Sequence, residues 1–145
     1  MRSPTLAMAA LALCAPGIAA AAEQHPKSQP VQAGENAEAK IAAIQAHVDA
    51  YRSGDLDRFV STFTHDAIVR ADGFVAIGRD QIRALYELNF VPGAPSIKVH
   101  DSGVSGENVY LTIGYVFEGG QEMCCSYSEY EVRDGKVSFL ETGAG

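Results

Sequence analysis

The chain has 145 residues, a formal net charge of −7, 47% hydrophobic residues and 20% charged ones. That length supports one hydrophobic core rather than two. The acidic balance, with no cluster of Lys and Arg to reverse it locally, argues against nucleic acid as a partner.

In chain order, Arg2 precedes an apolar run from Leu6 to Ile18 that is broken by Pro16 and Gly17, small residues Ala19 to Ala22 follow, and Glu23 is the first acid. A positive charge, an apolar core and a small-residue site predict a signal peptide over 1–22, cut after Ala21 or Ala22, and a protein exported to the periplasm or beyond. The apolar stretch falls short of the roughly 20 residues that cross a bilayer, so no membrane span is expected in the mature protein. Leu13 before Cys14 argues against lipidation. Loss of Arg2 leaves the mature chain one unit more negative.

Residues 23–35 mix Pro, Gln, Ser and Gly without an apolar period and predict a flexible leader, with a single domain over 36–145. Ile41, Ile44, Val48 and Tyr51 recur at steps of three and four, one stripe of an amphipathic helix enriched in alanine. Ser53-Gly54 closes it, and Asp55 is placed to cap a second short helix carrying Leu56, Phe59, Val60 and Phe63. Thr64-His65-Asp66 is read as the end of that helix, with His65 and Asp66 in a cap or loop role. Brief strands are predicted at 67–69 and 74–77, around a turn at Asp72-Gly73. A third helix over 80–88 turns Ile82, Leu85, Tyr86 and Phe90 inward and stops at Pro92-Gly93-Ala94-Pro95.

The remainder has strand character at 97–100, 108–118, 122–132 and 136–142, separated by glycine-containing turns. Three helices followed by an antiparallel meander predict an α+β fold, with three N-terminal helices packed on a curved, mostly antiparallel sheet. Alternation places Ser126, Ser128, Tyr130 and Val132 on one face of their strand and Tyr127, Glu129 and Glu131 on the other. The preceding strand is apolar on both faces, which a homodimer through the outer sheet face would explain.

Cys124 and Cys125 are adjacent. Neighbours on a regular strand point to opposite faces, so no disulfide between them is expected, and with no histidine nearby in sequence no metal site is expected either. No glycine-rich phosphate cradle occurs, because Gly78-Arg79-Asp80 lacks the spacing. The expected cofactor is none.

Three segments carry a family resemblance: Tyr51-Arg-Ser-Gly-Asp-Leu-Asp-Arg-Phe, Phe63-Thr-His-Asp-Ala-Ile-Val, and Gly78-Arg-Asp-Gln-Ile-Arg-Ala-Leu-Tyr86. Over residues 38–142 the chain resembles the nuclear transport factor two-like superfamily, and within it the SnoaL-like group of polyketide cyclase and ketosteroid isomerase-like proteins. The resemblance implies a cone-shaped α+β barrel with a cavity that hosts isomerases, cyclases, dehydratases, epoxide hydrolases and non-enzymes. In the steroid isomerase branch a first-helix tyrosine, a carboxylate base and a protonated aspartate do the chemistry. Those positions fall here on His47, on Ala71 beside Asp72, and near Ser128, which argues against steroid isomerisation by that machinery. The arginine and aspartate arrangement of the epoxide hydrolase branch is not evident.

The candidate site is then His47, Asp72 and Tyr51 in catalytic roles, with Arg70, Tyr86, Ser128 and Tyr130 binding ligand. An imidazole is a general acid or base near neutral pH, and a tyrosine hydroxyl stabilises an enolate. The set suits proton abstraction next to a carbonyl, or addition or elimination of water, on a small apolar carbonyl compound. The same residues also fit a packing role, with tyrosine hydroxyls reaching polar neighbours and Arg70 and Asp72 paired at a rim. Three readings therefore stand: a cofactor-free lyase or isomerase, a non-catalytic ligand-binding domain, and an association module with no open cavity.

Overall fold

The computed structural model describes residues 33–144, with side chains from Asn36 onward. The predicted signal peptide and most of the predicted leader lie outside the described residues. Helix α1 (Ala33–Arg52) turns Ile44, His47, Val48, Ala50 and Tyr51 inward. Ile41, on the predicted stripe, is instead exposed. It lies one turn before Ile44, at the lip of a groove between α1 and the sheet. Helix α2 (Leu56–Ser61) is capped as its sequence predicts: the Asp55 carboxylate accepts from the Arg58 backbone N–H at 3.0 Å, satisfying a donor that has no partner within the helix.

Strand β1 (Phe63–Ala71) starts directly after α2. His65 and Asp66, expected in a helix end or loop, are exposed members of this strand, and Asp66 pairs with Arg133. Strand β2 (Phe74–Ile77) returns antiparallel to β1, and helix α3 (Arg79–Tyr86) runs into a 3-10 turn over Glu87–Phe90. The strands β3 (Ser96–Ser105), β4 (Asn108–Val116), β5 (Glu122–Arg133) and β6 (Lys136–Ala144) then form an antiparallel meander. Strand β6 finally pairs parallel with β1.

The six strands lie in the order β2-β1-β6-β5-β4-β3. The sheet is open, with β2 and β3 at its edges, and the expected cone-shaped barrel is not formed. Closing a sheet requires the two edge strands to pair along their length. Here β2 is only four residues long and leaves Phe74, Val75 and Ile77 exposed at its edge. Two segments between α2 and α3 are strands, so the three helices do not all precede the sheet.

The core lies between the helices and one face of the sheet. Phe59 and Val60 of α2 and Ile82 of α3 meet Phe63, Ala67 and Val69 of β1, Val109, Leu111 and Ile113 of β4, Tyr130 of β5, and Val137 and Leu140 of β6. Period-two alternation selects the residues of β1 and β4, while on β6 a register shift that leaves Ser138 unpaired turns Val137 and Leu140, three apart, to the same side. Lys40 fastens α1 to the β3–β4 turn: its ammonium donates at 2.8 Å to both the carbonyl and the carboxylate of Glu107. Among the described residues no helix is long and apolar enough to cross a membrane.

Candidate functional site

The core is not completely filled. A cavity of about 40 Å³ is lined by His47 and Tyr51 of α1, Phe59 of α2, Tyr86 and Asn89 at the end of α3, and Ser128, Tyr130, Leu140 and Thr142 from the sheet, among others. An adjoining open cleft of about 220 Å³ is bounded by Ala71, Asp72, Phe74, Leu85 and Ser126. Tyr86, Asn89, Tyr115 and Thr142 line both, so they form the wall where one passes into the other.

His47 sits deepest. Its ring packs against Phe59, Phe63 and Tyr130, with centroids 4.8, 5.0 and 5.5 Å away. Nδ1 lies 2.7 Å from the Thr62 hydroxyl oxygen, while that hydroxyl donates to the Phe59 carbonyl at 2.6 Å. A hydroxyl has one proton. With it committed to Phe59, the Thr62 oxygen accepts from His47, so Nδ1 carries the ring hydrogen and Nε2 the lone pair. Burial lowers the imidazole pKa to about 3, because a charged ring would lose its hydration here. His47 is neutral at pH 7, and as a proton acceptor it is weak.

The tyrosines are neutral for the same reason. Burial raises the pKa of Tyr51, Tyr86 and Tyr130 above the ordinary phenol value. The Tyr51 hydroxyl accepts from the Asn89 side-chain amide at 3.1 Å, and the Ser128 and Thr142 hydroxyls are 2.8 Å apart. The inner cavity is thus a wall of aromatic rings with hydroxyl and amide groups and no charged side chain.

The structure brings His47, Tyr51, Tyr86, Ser128 and Tyr130 together around the cavity. Asp72 is separated from His47. It occupies the β1–β2 turn at φ 46°, exposed, and reaches only the outer cleft, which it shares with Tyr86. Arg70 lies elsewhere. Val69 points into the core, so its neighbour Arg70 points to the opposite face, where its guanidinium sits 5.5 Å over the Phe139 ring. The rim ion pair of Arg70 with Asp72 is replaced by this stacking. Asn89, Tyr115 and Thr142 were missed. Thr142 was within reach of the sequence, since it shares the inward face of β6 with Leu140. Asn89 sits in the 3-10 turn, which has no periodicity to expose it.

The α+β architecture recurs in solved structures. An NTF-2 like protein of unknown function from Burkholderia xenovorans is 26% identical, covering 72% of this chain and 81% of that one, at a TM-score of 0.59. An LEH-like epoxide hydrolase of M. tuberculosis is 18% identical over 75% of this chain and 84% of its own, at 0.62. A de novo designed protein with a curved β-sheet is 16% identical, over 74% and 86%, at 0.63. The latter two show the fold alone. Among curated proteins no sequence matches. The SnoaL-like domain model matches residues 44–139, from the buried stripe of α1 into β6. The chain therefore belongs to the SnoaL-like domain family, within the nuclear transport factor two-like superfamily.

Proposed function

We propose that this protein binds a small neutral carbonyl compound, with its carbonyl head in the inner cavity and its apolar remainder in the outer cleft. The observation that carries this reading is the absence of charge from the cavity wall: a neutral imidazole, neutral phenols and one amide. Hydroxyl donors in a water-poor aromatic setting suit a carbonyl oxygen, whereas a carboxylate or ammonium would enter without a counter-charge at high desolvation cost. Size narrows the ligand further. About 40 Å³ admits a head of a few atoms, far from the roughly 300–1,000 Å³ of sites that engulf drug-sized ligands. The N-terminal residues support export, so the ligand is one met outside the cytoplasm.

A matched series tests this: 2-hexanone, hexanoate and hexylammonium, titrated separately at pH 7 and followed by NMR. The ketone is expected to bind with saturation and the two ions at least about tenfold more weakly, a difference of roughly 1.4 kcal/mol. Tighter binding of either ion, or no binding of the ketone, contradicts the reading.

One observation favours a second reading, a cofactor-free isomerase or lyase: Asp72 and Tyr86 face the same cleft. A carbonyl held by the Tyr86 hydroxyl would place its α-carbon toward the Asp72 carboxylate, which takes the proton while the phenol stabilises the enolate oxygen. Incubation of 2-hexanone in D2O then gives deuterium at its α-carbons, and Asp72→Asn abolishes the incorporation. Binding without exchange, or exchange unchanged in Asp72→Asn, removes the enzymatic reading and leaves the binding one standing.

A further inference from the structure

The two cysteines are joined as a vicinal disulfide, and a histidine stands beside them. Both facts correct the sequence reading, and both have a local cause. Between the pairs Ile113↔Ser126 and Gly114↔Cys124 the β4–β5 register shifts by one, leaving Cys125 as the extra residue of a bulge. Between Val99↔Ile113 and Asp101↔Thr112 the β3–β4 register also shifts, leaving His100 as the extra residue there. The two bulges flank β4 at the same level. Bulges interrupt alternation and re-aim side chains, so Cys124 and Cys125 no longer diverge to opposite faces.

Beside them on β4, Gly114 pairs with Lys98 on one side and Cys124 on the other. A Cβ built there would stand 2.9 Å from His100 Nε2 and 2.5 Å from Glu122 Oε1. Only a residue without a side chain lets groups from β3 and β5 meet across β4. A ring nitrogen of His100 and the two Sγ atoms all lie within 4.8 Å of one another, and Glu122 Oε1 contacts His100 Nε2.

We propose that, once its disulfide is opened, this protein holds one thiophilic divalent ion of the zinc type on Cys124, Cys125 and His100, with a water oxygen in the fourth position. Two thiolates, an imidazole and an oxygen are a zinc donor set. The state change balances with an external thiol as reductant: the S–S bond breaks, two external thiols give up two electrons and two protons to become a disulfide, and Cys124 and Cys125 become thiols. Binding the ion then releases those two protons to solvent. The site is a redox-gated one, closed while the sulfurs are bonded to each other. It lies on β3, β4 and β5 apart from the aromatic cavity and does not depend on the ligand proposed there.

The test uses the full chain carrying Cys14→Ser, so that the pair supplies the only thiols, reduced with a phosphine and titrated with Zn2+ alone and, separately, with Co2+ alone. One ion per chain is expected, with sulfur-to-cobalt charge-transfer absorption. Gly114→Ala and His100→Ala should each weaken Zn2+ binding by about 10- to 100-fold, and the disulfide form should give no charge-transfer band. His100 and Cys124 are exposed, and far-UV circular dichroism verifies that each variant is folded. If Gly114→Ala proves unfolded, His100→Ala and Cys124→Ser decide the matter. No binding to the reduced chain, or affinity unchanged in His100→Ala or Cys124→Ser, overturns the proposal.

Discussion

Replacing Phe59 with alanine is expected to lower the unfolding free energy by about 3–5 kcal/mol, the cost of a large aromatic lost from a close-packed interior. Phe59 is 1% exposed and its ring meets five others: His47, Tyr51, Phe63, Tyr86 and Phe90, with centroids 4.8 to 5.4 Å away. It is the residue through which α2 joins α1, β1 and the end of α3. Its loss removes buried apolar area and leaves a void that the surrounding rings fill only in part. Urea unfolding measures the change. Phe74→Ala is the control: that ring is 68% exposed, and its removal should shift stability by no more than about 0.5 kcal/mol. Equal effects from the two substitutions would mean that the aromatic cluster is not the centre of the core.

The second large effect is on pH dependence. Burial holds the His47 pKa down to about 3 in the folded chain, below the ordinary imidazole value of about 6.5. Between those values the unfolded chain takes up a proton that the folded chain refuses, so the native state loses stability as pH falls. The contribution is complete above pH 6.5, declines by about 1.4 kcal/mol per pH unit below it, and levels off near the folded pKa. From pH 6.5 to 5 the loss is roughly 2 kcal/mol. Glu107 and Glu122 do not obscure this window. Lys40 beside Glu107, and His100 and Lys98 beside Glu122, hold those groups below their usual range, so their contributions persist until the pH is lower still. His47→Gln has no proton to take up in this range, and its stability should lose that slope. A slope identical in wild type and His47→Gln would show that the imidazole is charged, or solvated, in the folded protein.

The stripe on α1, the Asp55 cap and the inward face of β5 were legible because each follows from a local rule of period 3.6, hydrogen-bond supply or period two. Alternation put Ser128 and Tyr130 on one face of β5, and the family resemblance pointed to Ser128 as well. The same rule, applied to β1, would have turned Arg70 away from Val69 and out of the site. Alternation fails where two strands slip against each other. Cys125 and His100 are such places, since a bulge depends on the partner strand, which is distant in sequence. Asp72 was grouped with His47 because His47 falls on one position of the steroid isomerase pattern and Asp72 lies one residue after another. The turn holding Asp72 carries it to the cleft mouth instead. The expected barrel came from resemblance rather than from residues, and a four-residue β2 does not support closure.

The central claim is that a neutral carbonyl compound enters the uncharged cavity, and two side-chain amides report on it directly. Asn89 lines both the cavity and its cleft, whereas Gln45 lines the separate groove between α1 and the β3–β4 hairpin, also about 220 Å³. In a 1H–15N spectrum recorded during the 2-hexanone titration, the Asn89 amide pair should shift with saturation while that of Gln45 stays in place. A saturating shift of Gln45 with Asn89 unmoved would put the ligand in the groove and contradict the account.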